Sequence, residues 1–154
     1  MINPDIKILA EQSVLCWLAT ANPQGIPSVS PKEVFTIYED NSIIIANIAS
    51  PNSARNIRSN PHACVSFINI FTQKGYQIQG RASCLTPDDP TYAPIEQLLT
   101  PITQGIFPFS SVFQVMIDDV REIIAPRYRL FPDTTEQDQI RSAMETYAVR
   151  PLSP

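Results

Sequence analysis

Apolar and polar positions divide the chain into short blocks, most of them with a period of two. Ile6, Ile8 and Leu9, with Glu11 and Gln12 behind them, predict a short helix over 5–13. Val14 to Ala21 is a continuous apolar run of strand length, closed by the turn signal Asn22-Pro23-Gln24-Gly25. Ile26 to Ile37 then reads as the returning strand of an antiparallel hairpin. Pro27 and Pro31 cannot donate ladder bonds, so parts of this strand belong to an edge or a bulge. The turn Glu39-Asp40-Asn41-Ser42 leads to a strand over 43–48, whose start, Ile43-Ile44-Ile45, is the most β-branched run in the chain.

Ser50 occupies an N-cap position, Pro51 follows at the first helical position, and Pro61 ends the helix between them. His62 to Ile70 predicts a strand, Phe71 to Gly75 a turn. Tyr76 to Ala82 alternates, with Gln77, Gln79 and Arg81 on one face and Tyr76, Ile78 and Gly80 on the other. Tyr92, Ile95, Leu98, Leu99 and Ile102 have helical spacing, which predicts a helix over 88–104 interrupted near Pro94 and Pro101. Val112 to Ile117 and Val120 to Ala125 are two strands, or one strand bent at Asp118-Asp119, which Tyr128 to Phe131 extends or follows. Thr134 to Tyr147 opens Thr-Thr-Glu-Gln and carries Ile140, Ala143, Met144 and Tyr147 on one face of a terminal helix. About six or seven strands with hairpin-length loops, against two or three helices, predict an antiparallel barrel with peripheral helices.

Composition narrows this picture. A chain of 154 residues, 44% hydrophobic and 17% charged, is expected to form one globular domain spanning 1–154. Fifteen prolines against four glycines fit many short elements with hard stops. The net charge of −4 argues against a nucleic-acid partner. From Lys32 to Arg81 there are five cations and three anions, while from Ala82 onward there are five cations and ten anions. A basic middle in an acidic chain suits a small phosphorylated ligand. Cys16, Cys64 and Cys84 are widely spaced and no secretory signal precedes them, so reduced thiols and a cytoplasmic location are expected. No run approaches the length of a transmembrane helix, so no membrane partner is expected.

Conventional catalytic sets are missing. A metal site is not expected, because His62 is the sole histidine and the cysteines lack ligand spacing. No serine sits in a nucleophile elbow, and no Walker-type or G-x-G-x-x-G loop occurs. The segment Asn47 to Pro61 remains: a strand feeding the N-terminus of a helix with Asn52, Ser53, Arg55 and Asn56 is either an anion cradle or an ordinary connector with a polar face. Such a site binds without obvious acid–base groups, so any chemistry would come from a cofactor.

Four motifs carry a family resemblance. Leu18-Ala19-Thr20, Gly25-x-Pro27-x-Val29-Ser30-Pro31, Ala54-Arg55-Asn56-Ile57-Arg58-x-Asn60-Pro61 and Gly75-Tyr76-x-Ile78-x-Gly80-Arg81-Ala82 follow one another over roughly residues 8 to 86. In this order they resemble the pyridoxamine 5′-phosphate oxidase-like, FMN-binding split-barrel family. The resemblance implies a β-rich (α+β), six-stranded antiparallel split barrel with peripheral helices. It also implies a homodimer with FMN at the subunit interface. Val29, Ser30, Pro31 and Lys32 look like the strand edging the isoalloxazine ring. Ala46, Asn47 and Ile48 look like the strand lining ring and ribityl chain, and Asn52, Ser53, Arg55 and Asn56 resemble the phosphate-binding segment. Gln77, Gln79 and Arg81 would approach the flavin from the partner subunit.

Departures temper the functional expectation. Many relatives carry a lysine at or beside position 53, where this chain has Asn52-Ser53, which leaves Arg55 most of the electrostatics. The tryptophan-and-arginine motif that holds vitamin B6 is absent, so Phe107 to Pro154 is a divergent tail and that activity does not follow from the fold. The reading is an FMN-dependent oxidoreductase; the alternative is a non-catalytic flavin carrier, sensor or structural dimer. A deazaflavin or haem variant is a third reading, with little but His62 to ligate haem.

Overall fold

The computed structural model describes residues 2–152. Chain order is α1 (Pro4–Gln12), β1 (Cys16–Ala21), β2 (Pro27–Lys32), β3 (Phe35–Tyr38), β4 (Ser42–Ala46), α2 (Pro51–Ser59), β5 (His62–Asn69) and β6 (Lys74–Leu85), followed by α3 (Tyr92–Leu99), β7 (Val112–Ile124), α4 (Pro126–Leu130) and α5 (Glu136–Tyr147). One antiparallel sheet holds all seven strands in the order β2-β1-β5-β6-β7-β4-β3. Among the described residues no helix is long and apolar enough to cross a membrane.

The two edges of that sheet, β2 and β3, are consecutive in the chain and separated only by Glu33 and Val34. Three Cα steps reach at most about 11 Å, so the sheet must roll until its edges meet. The Ala46 N–H donates to the Val34 carbonyl at 2.9 Å and carries the β3–β4 pairing into this connector. Six strands become seven because the returning strand bends between Lys32 and Phe35, its halves pairing on opposite edges. The expected split barrel is therefore present, with its second strand broken in two.

β4 explains its own composition. Ile43 and Ile45 point into a core shared with Leu18, Val65, Phe67, Ile78 and Phe113, which α1 and α2 cover with Ile6 and Ile57. Ile44 and Ala46 point the other way, into a second core with Tyr92, Ile95 and Leu99 of α3. A strand buried on both faces reads as a continuous apolar run rather than an alternation. Each fully buried isoleucine contributes about 1.5–3 kcal/mol of burial.

Three further elements depart from the sequence expectation or settle its alternatives. The amphipathic stretch 88–104 forms a helix only at Tyr92–Leu99. Before it, the Asp89 carboxylate ties down a turn by accepting from the Thr86 N–H at 2.6 Å; after it, Pro101 halts the helix. Between Val112 and Ile124 the alternative of one bent strand holds: pairing with β6 passes from Gln79↔Asp119 to Gly80↔Ile117, leaving Asp118 as a bulge. A Cβ on Gly80 would lie 1.9 Å from the Met116 carbonyl oxygen, so the strands approach here as only glycine allows. Tyr128 belongs to a short helix, not a strand.

Candidate functional site

β2 sorts its side chains by parity. Pro27, Val29 and Pro31 are exposed on the outer face, while Ser28, Ser30 and Lys32 turn inward beneath α2. On α2, Ser53 and Asn56 are buried with Ala54 and Ile57, and Asn52 and Arg55 stay at the exposed rim.

These two faces share a network of hydroxyls and amides. Asn56 Nδ2 donates to Thr20 Oγ1 at 3.0 Å and to Ser28 Oγ at 3.2 Å, and Asn52 Nδ2 donates to Ser28 Oγ at 3.2 Å. Thr20 and Ser28 hydroxyls stand 3.4 Å apart, as do those of Ser30 and Ser53. An O–H···O bond is ordinarily 2.7–2.8 Å, so both contacts are slack and both pairs retain capacity for a ligand. Lys32 closes the row: its Nζ donates to Ser30 Oγ at 2.8 Å and to Ser50 Oγ at 2.6 Å.

Ser50 is the N-cap of α2 with Pro51 following, but its side chain makes no capping bond. Lys32 has taken it: the hydroxyl accepts from the lysine and donates to the Ile48 carbonyl at 3.2 Å. No side chain caps the first turn of α2, whose N–H groups and dipole favour an anion. Asn47 braces this corner, accepting from the Ser50 N–H at 3.2 Å and donating to Ser111 Oγ at 2.9 Å.

Lys32 is 6% exposed, yet no described carboxylate pairs with it. Burial pushes its amine below the ordinary 10.5. A buried ammonium held only by neutral hydroxyls marks a place where an incoming negative charge is stabilised. The cation of the candidate site is thus Lys32; Arg55, exposed on α2, makes no ion pair among the described residues.

Next to Lys32 lies a cavity of about 220 Å³. Pro31, Ala46 and Ile48, expected to line a ring, meet there, joined by Leu15, Val34 and Phe107, which the sequence did not mark. Val29 stands apart on the outer face, and Asn47 acts as a brace rather than a lining.

Gln77, Gln79 and Arg81 lie on the outer face of β6, opposite Ser66, Cys64 and His62 of β5. Gln79 borders a second cleft of about 430 Å³, with His62, Cys64 and Asp118. These three residues do not converge with α2 within one chain. Thr20, Ser28 and Ser50 join the network without having been singled out as site residues. Ser28 had a signal, since it shares its strand face with Ser30 and Lys32; Thr20 stood in the motif Leu18-Ala19-Thr20, but its place beside Ser28 follows only from the β1–β2 register.

Known proteins place this geometry in a family. The family model for pyridoxamine 5′-phosphate oxidase matches residues 2–124, from α1 to the end of β7. No curated protein matches the chain. Among solved structures, HupZ of Group A Streptococcus is 21% identical, with a TM-score of 0.68 over 78% of this chain and 92% of that one. An FMN-binding protein from Syntrophomonas wolfei is 14% identical, with a TM-score of 0.64 over 78% of this chain and 84% of that one. HutZ, the heme storage protein of Vibrio cholerae, is 19% identical, with a TM-score of 0.63 over 79% and 93%. At such identities the likeness is one of fold. The family match covers far more than the motif-bearing stretch, and it runs through the strand, helix and cavity that carry the hydroxyl network: the chain belongs to the pyridoxamine 5′-phosphate oxidase family.

Proposed function

We propose that the chain is an FMN-binding flavoprotein, a homodimer in which the bound flavin passes hydride or electrons between small-molecule partners. The observation that carries this reading is Lys32, a buried cation without a carboxylate, in a row of hydroxyls at an uncapped helix N-terminus. The donor set suits a phosphate monoester. Ser30, Ser53, Asn52 and Asn56 supply neutral donors, Lys32 supplies charge, and no carboxylate joins the network to oppose it. The cavity shared by Pro31, Ala46 and Ile48 would receive the flat, apolar part of the same molecule. Arg55 would meet the phosphate from the solvent side.

FMN supplies the hydride and electron chemistry. The chain's own residues bind and orient. Lys32 is the one ionisable side chain in the network, and the exposed Glu33 borders the adjoining cavity; no hydrogen-bonded acid–base pair stands among the hydroxyls. That favours, as the second reading, a flavin carrier or structural dimer without turnover. Reductase or oxidase activity above the free-flavin rate with NAD(P)H, a quinone or pyridoxamine phosphate separates the two. The dimer is supported by the outer face of β1–β2, where Trp17 opposes Pro31, Ala19 opposes Val29 and Ala21 opposes Pro27. A sheet face so apolar is suited to covering by a second copy, which would bring the partner's Gln77, Gln79 and Arg81 face near the flavin. Three free cysteines are in keeping with a reducing cytoplasm.

Titration with FMN and riboflavin, read by flavin emission and the visible spectrum, tests the reading, with haem and a deazaflavin titrated in parallel. Arg55→Ala is expected to weaken FMN roughly tenfold, the scale of one charge-assisted contact, and leave riboflavin unchanged. Equal loss of both would remove Arg55 from the phosphate site. Failure of the wild-type chain to bind FMN would overturn the flavin reading itself.

A further inference from the structure

Phe107 lies beyond the four sequence motifs, though within the stretch the family model matches, and it lines the cavity beside Lys32. The segment 100–111 connecting α3 to β7 is firmly built around it. Thr103, 3% exposed, donates from Oγ1 to the Thr100 carbonyl at 2.7 Å and accepts there from the Gly105 N–H at 3.1 Å. The Ile106 N–H donates to the Thr103 carbonyl at 3.0 Å. Gln104 and Gly105 both adopt left-handed φ values, 50° and 70°, and so turn the chain sharply back before Phe107. On the other side Pro108 restricts the backbone, and Phe109 packs against the core of Val34, Ile44 and Ala46. Val34 and Ala46 belong to that core and line the cavity as well.

The backbone at Phe107 is therefore held between two anchors, and the residue, 42% exposed, stands at the edge of a mostly apolar cavity. The cavity's other apolar walls, Leu15, Pro31, Val34, Ala46 and Ile48, are aliphatic, so the phenyl ring is its one aromatic surface. An aromatic ring carried on a loop ordered in this way gains by covering a flat π-system, at no further cost of ordering the loop.

Resting on the flavin reading above, we infer that Phe107 is the ring-recognising residue of the site: it packs on the isoalloxazine and sets preference for a flat tricyclic group, independently of the phosphate contacts. Affinity then divides into two parts, phosphate through Lys32 and α2, ring through Phe107.

The test uses the full chain with FMN, riboflavin and lumiflavin, the last carrying the ring alone. Phe107→Ala is expected to lower affinity for all three by a similar factor, roughly tenfold. Phe107→Tyr should restore it, and Phe107→Trp should keep affinity while dimming the emission of bound flavin. The melting temperature without ligand should stay at the wild-type value, because the side chain is half exposed. A wild type that binds FMN with Phe107→Ala unchanged overturns the role of Phe107 alone. A ligand-free melting temperature that falls together with affinity also overturns it, since Phe107 is then a packing residue. A wild type that binds no flavin overturns both this inference and the flavin reading.

Discussion

Cys16 and Lys32 face one another across the β1–β2 register, both shut away from solvent, and burial acts on them in opposite senses. The thiol is pushed up to about 12 from an ordinary 9.0, despite the pull of the lysine's charge; the amine is pushed down from 10.5. Above pH 9 the unfolded chain releases the Cys16 proton while the native chain keeps it. Native protein then holds more protons, so the thiol's contribution is complete below pH 9 and is lost as pH rises towards 12. The loss approaches about 1.4 kcal/mol per pH unit. Lys32 works the other way, since its unfolded form stays charged up to 10.5, and it adds stability as pH climbs to that value. Urea unfolding at pH 8 and pH 10 should therefore show a smaller fall for Cys16→Ala than for wild type. Equal falls would mean that the thiol is not buried as described. Nothing in the sequence pointed to this pair, because Cys16 and Lys32 meet only through strand pairing.

At the scale of elements, what could be read from the chain was what the chain determines locally. Ile43-Ile44-Ile45 announced a strand, though not that both of its faces are buried, and Pro51 and Pro61 bracketed α2, whose span is Pro51–Ser59. Alternation exposed the Gln77–Arg81 face. Register was hidden, and with it the meeting of Thr20 and Ser28 with α2 and of Lys32 with Ser50, since long-range pairing decides them. The bulge at Asp118 was half visible as an interruption in apolar pattern; the close approach at Gly80 that accompanies it was not. Gly80→Ala forces a Cβ against backbone and is expected to destabilise by about 3 kcal/mol or more. Gly25→Ala meets nothing within 4 Å but retains a φ of 78°, and is expected to cost about 1 kcal/mol. Denaturant midpoints rank the two; a Gly80→Ala midpoint no lower than that of Gly25→Ala would contradict the tight strand contact.

For the whole molecule the issue is what covers the outer face of β1 and β2. Trp17 and Val29 are 45% and 61% exposed there, across from Pro31 and Ala19. If a second copy covers this face, Trp17→Glu and Val29→Lys should each shift the chain from dimer to monomer in sedimentation velocity, with FMN affinity falling as the partner's residues leave. A wild-type monomer at micromolar concentration would remove the homodimer from the proposal.

The late position of β7 in the chain also dictates when the sheet can be completed. β4 pairs with β3 on one side and with β7 on the other, and β7 begins only at Val112, after α2, β5, β6 and α3 have been made. During synthesis, therefore, Ile43, Ile44 and Ile45 emerge long before their second partner exists. Until β7 follows, both β4 and β6 present open backbone edges that invite pairing with other chains. A nascent or truncated chain ending before Val112 is expected to need chaperone protection or to aggregate, whereas in the finished fold β7 covers the edges of both β4 and β6 and only β2 and β3 remain as edges.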